Sequence, residues 1–262
     1  MEILGYFFAL LIGFIMGVIG GGGSILGVPV FVYLFGMDAI SATTFSLFVV
    51  GVASAFGAFS NARHGAVDFK TAILFGVPSV LAVMFQRKLV LPHLPENLIN
   101  IGDVHVAKDV FILVMFAVLM LFSSIKMILG NQKIAPKTDA PQYLLLITQG
   151  IGVGMITGLI GAGGGFLIVP ALVMLLNLDM KKAIGTSLLI ISMNSLLGFV
   201  SSPNISAVNW TFLLIFTAIS ILGMLIGVKV SKKIEGNKLR PAFGWFVLLM
   251  GVFMIVKEVF FH

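Results

Sequence analysis

The chain has 262 residues, 59% hydrophobic and 10% charged, with a mean hydropathy of +1.15; soluble domains carry about 25% charged residues, so a soluble globular fold is excluded. It contains no cysteine, which rules out disulfides, a thiol nucleophile and thiolate metal sites. The net charge of +6 sits mostly in connections between apolar runs, where membrane topology accounts for it and no nucleic-acid partner is implied.

The apolar runs predict ten helical segments. From Ile3 to Ala62 the only charge is Asp38, and a span needs about 20 apolar residues. The first basic residue is Arg63, so the opening run reads as a span and not as a signal peptide, which needs a basic start. Residues 3–20 form the first segment, broken by glycines and continued by a short piece, 25–36. Segments 39–60 and 69–85 follow, then a polar loop, 86–106, with Pro92 and Pro95, and a span at 108–129. After a polar linker come 142–160, a short 166–176, 181–201, 210–230 and 239–261.

The two halves are copies. Gly20-Gly21-Gly22-Gly23-Ser24 with Pro29 recurs as Gly161-Ala162-Gly163-Gly164-Gly165 with Pro170, both glycines and prolines 141 residues apart. The same offset pairs Asp38 with Asp179, Ser46 with Ser187, Ser54 with Ser195, Gly57 with Gly198, and Phe69 with Trp210. A register held without a gap marks an internal repeat. Residues 1–130 are the first repeat, 131–141 a linker and 142–262 the second.

Basic residues orient the segments. Lys126, Lys133 and Lys137 surround the linker, Lys181 and Lys182 precede the eighth segment, and Lys229, Lys232, Lys233, Lys238 and Arg240 flank the last connection. Connection 202–209 has no charge. Placing the basic connections inside makes the linker cytoplasmic and both termini external. Each repeat then crosses an odd net number of times, whether its broken pair is two short spans or a re-entrant hairpin. The expected fold is an all-α polytopic membrane protein of two inverted repeats, the plan of secondary transporters. Arg63 and His64 fall on the expected side; Arg87 and Lys88 fall on the wrong one.

Contiguous glycines cost roughly 1 kcal/mol each against alanine in a helix, so each run is expected to unwind its span. Open backbone at membrane depth survives only where protein or a water-filled cavity satisfies it. The helix that follows begins with free amides carrying partial positive charge. Two such starts converging near the midplane would make an anion site. The competing reading is close helix packing, which normally uses small-xxx-small spacing. On this reading Gly21, Gly22, Gly23, Ser24, Gly163, Gly164 and Gly165 bind substrate, and the spans as drawn contain no lysine or arginine at depth. Thr43, Thr44 and Ser46 in the first copy, and Thr186 and Ser187 in the second, stand at the start of the next span as candidate anion donors. They could equally cap helices or bond the preceding turn. Asn194 is a further candidate contact.

Gly-x-Gly-Gly-Gly followed by proline, as in Gly161–Gly165 with Pro170, and then Ala183-Ile184-Gly185-Thr186-Ser187-Leu188, in two copies of this length, resembles the TauE/SafE sulfite-exporter family. The first copy departs from the pattern, with Thr44 at the place of Gly185 and Phe45 at that of Thr186. The resemblance implies a cytoplasmic (inner) membrane transporter of sulfite or small organosulfonates, usually an exporter.

Coupling would need titratable groups. Asp38 and Asp179 match but sit where aspartate commonly caps a helix. His64, beside Arg63, changes charge near pH 6.5 when unperturbed but reads as a loop residue at the lipid surface. Asp68 matches Asn209 and reads as a cap. The expected protein is a transporter and not an enzyme, with no cofactor and no metal, whose partners are a small anion and the bilayer, with proton coupling through these residues as an option. A passive anion channel, a carrier of another small carboxylate or oxyanion, and a membrane subunit of a larger complex are the alternatives.

Overall fold

The computed structural model describes residues 2–90, 93, 97–101, 104–129, 142–160, 164–176, 178–202 and 209–260. Helix α1 covers Glu2–Ile19. Helix α2 is composite: a 3-10 helix over Gly21–Leu26, one α turn over Gly27–Pro29 and a π-helix over Val30–Leu34. Glycines tolerate tight winding, and Pro29 has no amide to return to the α ladder. Then come α3 (Ala39–Ala62), α4 (Phe69–Phe85), α5 (Lys108–Leu129), α6 (Gln142–Ile160) and α7 (Gly165–Leu175). The chain continues with α8 (Met180–Val200), α9 (Trp210–Lys233) and α10 (Gly236–Phe260). All ten predicted segments are thus helical.

Polar residues set several helix starts. The Asp38 carboxylate accepts from the Ser41 amide at 2.9 Å, and Asp68 accepts from the Thr71 amide at 3.1 Å and hydroxyl at 3.0 Å. Asn209 accepts from the Phe212 amide at 3.2 Å. Asp68 and Asn209 are therefore matched caps, as their sequence context suggests.

Two departures lie between α4 and α5. Helix α4 does not stop at Phe85 but runs on as a π-helix over Gln86–Val90. Part of the expected polar loop forms an antiparallel hairpin, β1 (Asn97–Ile101) and β2 (Val104–Ala107), with Asn100 opposite His105 and Ile101 opposite Val104.

Among the described residues, five helices are long and apolar enough to cross a membrane: Ile40–Ala62, Phe69–Val90, Met180–Val200, Trp210–Lys233 and Gly236–Val256. Leu129, Leu249 and Leu81 are 76%, 66% and 62% exposed on outer helices, an apolar surface of the kind a bilayer covers. The chain is an all-α polytopic membrane protein apart from its one described hairpin.

Helices α3 and α8 are the most buried of the five and pack on each other. Leu47 meets Gly198, Gly51 meets Leu196 and Gly57 meets Leu188, so this matched pair runs antiparallel. Matched α5 and α10 also run antiparallel, with Gly244 against Ile128 and Gly251 against Leu121. Helix α1 packs on α9 and α6 on α4. Side chains on Gly13 and Gly17 would strike Ser220, Met224 and Gly227; on Gly154 and Gly158 they would strike Ser79, Val83 and Gln86. The second set is the first shifted by the repeat offset. These small-xxx-small faces let backbones approach closely.

Candidate functional site

The first break is sharper than the sequence implies. Helix α1 ends at Ile19, and Gly20 alone takes the turn at φ 80°, ψ −134°, a region open essentially to glycine. Gly21, Gly22 and Gly23 are already wound into α2, so the expected stretch of open backbone shrinks to one residue. The Ser24 hydroxyl donates to the Gly21 carbonyl at 2.6 Å, which commits its proton to the 3-10 turn.

In the second break Gly164, at φ 69°, caps α7, and its carbonyl accepts from the Leu167 and Ile168 amides at 3.0 Å. Gly163 lies outside the described residues. The two breaks meet backbone to backbone: a side chain on Gly21 would overlap Gly165, and one on Gly165 would overlap Gly21. A Cβ on Gly22 would come within 3.0 Å of the Phe243 ring on α10, and one on Gly23 would strike Met16 and the Ile12 carbonyl on α1.

The hydroxyl residues divide by role. Thr43 and Thr44 donate to the Ile40 carbonyl at 2.8 and 2.9 Å, and Ser187 donates to the Ile184 carbonyl at 2.9 Å. This is the bond to the preceding turn that competes with ligand binding. Ser187 nevertheless borders the first break, its Oγ 3.2 Å from where a Gly20 Cβ would stand. Ser46 is buried without a hydrogen-bond partner and lies against Gly27. The matched Ser54 and Ser195 are also buried and unpartnered. Thr186 turns the other way, its Oγ1 accepting the Asp68 amide at 2.9 Å across the α8–α4 contact. Gly185 is glycine because Ala66 and Asn61 leave no room for a Cβ. Asn194 donates to Ser79 Oγ at 2.8 Å and leaves its Oδ1 unpartnered.

The four coupling candidates all lie exposed, away from the breaks. Burial pushes the Asp38 carboxyl up, but its hydrogen bonds, led by that from the Ser41 amide, outweigh this and hold it below the usual range. Asp179 occupies the corresponding cap position without a side-chain bond. The His64 ring lies 2.7 Å from the Ser60 carbonyl and 3.2 Å from Lys232 Nζ, and the Arg63 guanidinium stacks 4.3 Å from the centre of the Phe59 ring.

The structure buries one cation that the sequence leaves in a polar loop. Because α4 continues past Phe85, it carries Arg87 inward, where the side chain is 1% exposed. Its Nη1 donates to Ser202 Oγ at 2.6 Å, while Nε and Nη2 have no partner. The sequence reading leaves this residue in the 86–106 loop; the available signal is its misplacement against the basic-inside pattern.

The family model described as sulfite exporter TauE/SafE matches residues 6–254. A probable membrane transporter protein of Xylella fastidiosa is 27% identical, over 95% of this chain and 92% of its own. One from Methanocaldococcus jannaschii is 27% identical over 94% of both chains. The probable membrane transporter protein YunE of Bacillus subtilis is 26% identical over 96% of both. No solved structure matches the chain.

Proposed function

Given that this chain belongs to the sulfite exporter TauE/SafE family, we propose that it carries a small sulfur oxyanion or organosulfonate out across the cytoplasmic membrane by alternating access. The anion sits where the two glycine breaks meet. The contact of Gly21 with Gly165 carries this reading, because it joins two breaks 141 residues apart in sequence at one point. Each break starts a helix whose N-terminus contributes about half a positive charge, so two together nearly balance a monoanion. Ser187 borders the first break, and the buried serines 46, 54 and 195 hold hydroxyls with no protein partner. Inverted repeats are supported by the antiparallel course of α3 against α8 and of α5 against α10.

With Gly21 and Gly165 in contact there is no gap for an anion between them, so loading requires α2 and α7 to separate. Carriers built on inverted repeats open one side by rocking one group of helices against the other around the site. Exposed His64 and Asp38 lie at the surface and not at the anion. A binding screen of sulfite, sulfate, sulfoacetate, taurine and carboxylate analogues on the purified protein tests the class. Thermal stabilisation by sulfite or a sulfonate, with no partner present, is the expected result. Response to carboxylates alone would move the assignment to another anion carrier, and saturating, countertransport-competent flux would separate a carrier from a passive channel.

A further inference from the structure

We propose that Arg87 is the centre of a second anion site, taking a small oxyanion such as sulfite, a sulfonate or a carboxylate. The proposal rests on the anion-transport reading for its ligand class, but its geometry is independent of the glycine breaks. An arginine near a helix end in a membrane protein normally extends its head to the interface. Lys88, the next residue, is exposed. Arg87 does the opposite and is wholly buried.

The protein satisfies only a small part of that charge. One of the five guanidinium donors reaches Ser202 Oγ, whose own proton goes to the Gly198 carbonyl at 3.0 Å. Nε and Nη2 are left unpartnered, and no carboxylate pairs with Arg87 among the described residues. Burying an unpaired charge is costly enough that proteins compensate it with a counter-ion. The guanidinium fork matches the spacing of two oxygens on one anion. Ser201 and Gln86, flanking the pair in sequence, also hold buried polar atoms without partners.

The repeat supplies the control. The residue matched to Arg87 is Val228, and that matched to Ser202 is Asn61. Asn61 donates to the Gly57 carbonyl at 2.9 Å, the same bond Ser202 makes to the matched Gly198. The second copy therefore builds the same helix packing with valine, and the fold does not need the charge.

The position suits a relay. Helix α4 runs beside α8 from Asp68 at Thr186, through Ser79 at Asn194 and Val83 at Gly198, to Arg87 at Ser202. Arg87 thus stands about two helical turns beyond the Ser79–Asn194 contact. On the topology inferred from the basic connections this is the periplasmic end, where an exported anion would be held before release.

The test uses the purified full chain in neutral detergent, titrated separately with sulfite, methanesulfonate and short-chain phosphatidylglycerol. Arg87→Gln should unfold at the same temperature as the parent or higher without anion. Its apparent affinity for sulfite and methanesulfonate should fall about tenfold or more, the loss expected when charge-assisted hydrogen bonds are removed. Arg87→Lys, keeping the charge but not the fork, should fall between the two and serves if the glutamine variant does not fold. Parent affinity in both variants would overturn the site. An Arg87-dependent response to phosphatidylglycerol with none to the small anions would make it a lipid headgroup site and also overturn the proposal. Gly22→Val run in parallel separates the two readings: an Arg87-dependent response that survives it supports this site whether or not anions bind at the breaks.

Discussion

Replacing Thr186 by valine isolates one long-range bond with almost no change in shape. Thr186 is fully buried, and its Oγ1 accepts the Asp68 amide at 2.9 Å. That amide lies at the N-terminus of α4, where helix donors have no partner within their own helix. Valine removes a net hydrogen bond worth about 0.5–1.5 kcal/mol and orphans a partly buried donor, for a loss of about 1–3 kcal/mol in all. At roughly 2–4 °C per kcal/mol for a chain of this size, the melting temperature of the purified protein should fall by about 2–12 °C. Thr186→Ser keeps the oxygen and loses one methyl, roughly 0.8 kcal/mol. Hydrogen exchange separates the two causes: the Asp68 amide should exchange faster in the valine variant and not in the serine variant. Thr148→Val is the control, because Thr148 is exposed and bonds only the preceding turn, at the Leu144 and Leu145 carbonyls. A Thr186→Val protein with parental melting and parental exchange at Asp68 would refute the reasoning.

Leucine at Gly13 or at its match Gly154 should each prevent a stable fold, read as loss of a monodisperse peak on size-exclusion chromatography, since a Cβ alone already meets the backbone of α9 or α4. Asp38→Asn should leave the pH profile of transport unchanged between pH 5 and 8. The depressed carboxyl stays ionised there, its contribution to stability being lost only as pH falls through its folded value, and asparagine caps about as well. Single cysteines at Asn204 and Gln132, in a chain without native cysteine, should label with an impermeant thiol reagent in intact cells at Asn204 and not at Gln132. The reverse pattern would invert the topology.

The helices were legible because apolar runs are punctuated by residues with one local job. Asp38, Asp68 and Asn209 start helices through their own side chains, and Gly20 and Gly164 turn the backbone where only glycine is comfortable. The meeting of the breaks could be anticipated from the repeat, but its closeness could not, since Gly21 touches Gly165 through the packing of the whole bundle. Thr186 reads locally as a donor at a helix start; that it accepts a hydrogen bond from the amide of a residue 118 positions away is a tertiary fact. Arg87 reads as part of a polar loop in the sequence, whereas the π-helical continuation of α4 turns it inward. The hairpin had a signal in Gly102-Asp103 between two runs rich in β-branched residues, masked by the polarity around it. Gly13, Gly17, Gly223 and Gly227 carry packing spacing that the glycine runs overshadowed.

The central claim, an anion held where the two breaks meet, is tested most directly by sulfite flux into proteoliposomes containing the parent or Gly22→Val. Gly22 is the apt position because a side chain there meets only the side chains of Phe243 and Ile19 and no backbone. Saturable, protein-dependent flux in the parent and its loss in a Gly22→Val protein that inserts and melts normally is the predicted result. Parental flux in that variant, with sulfite affinity unchanged, would contradict the account.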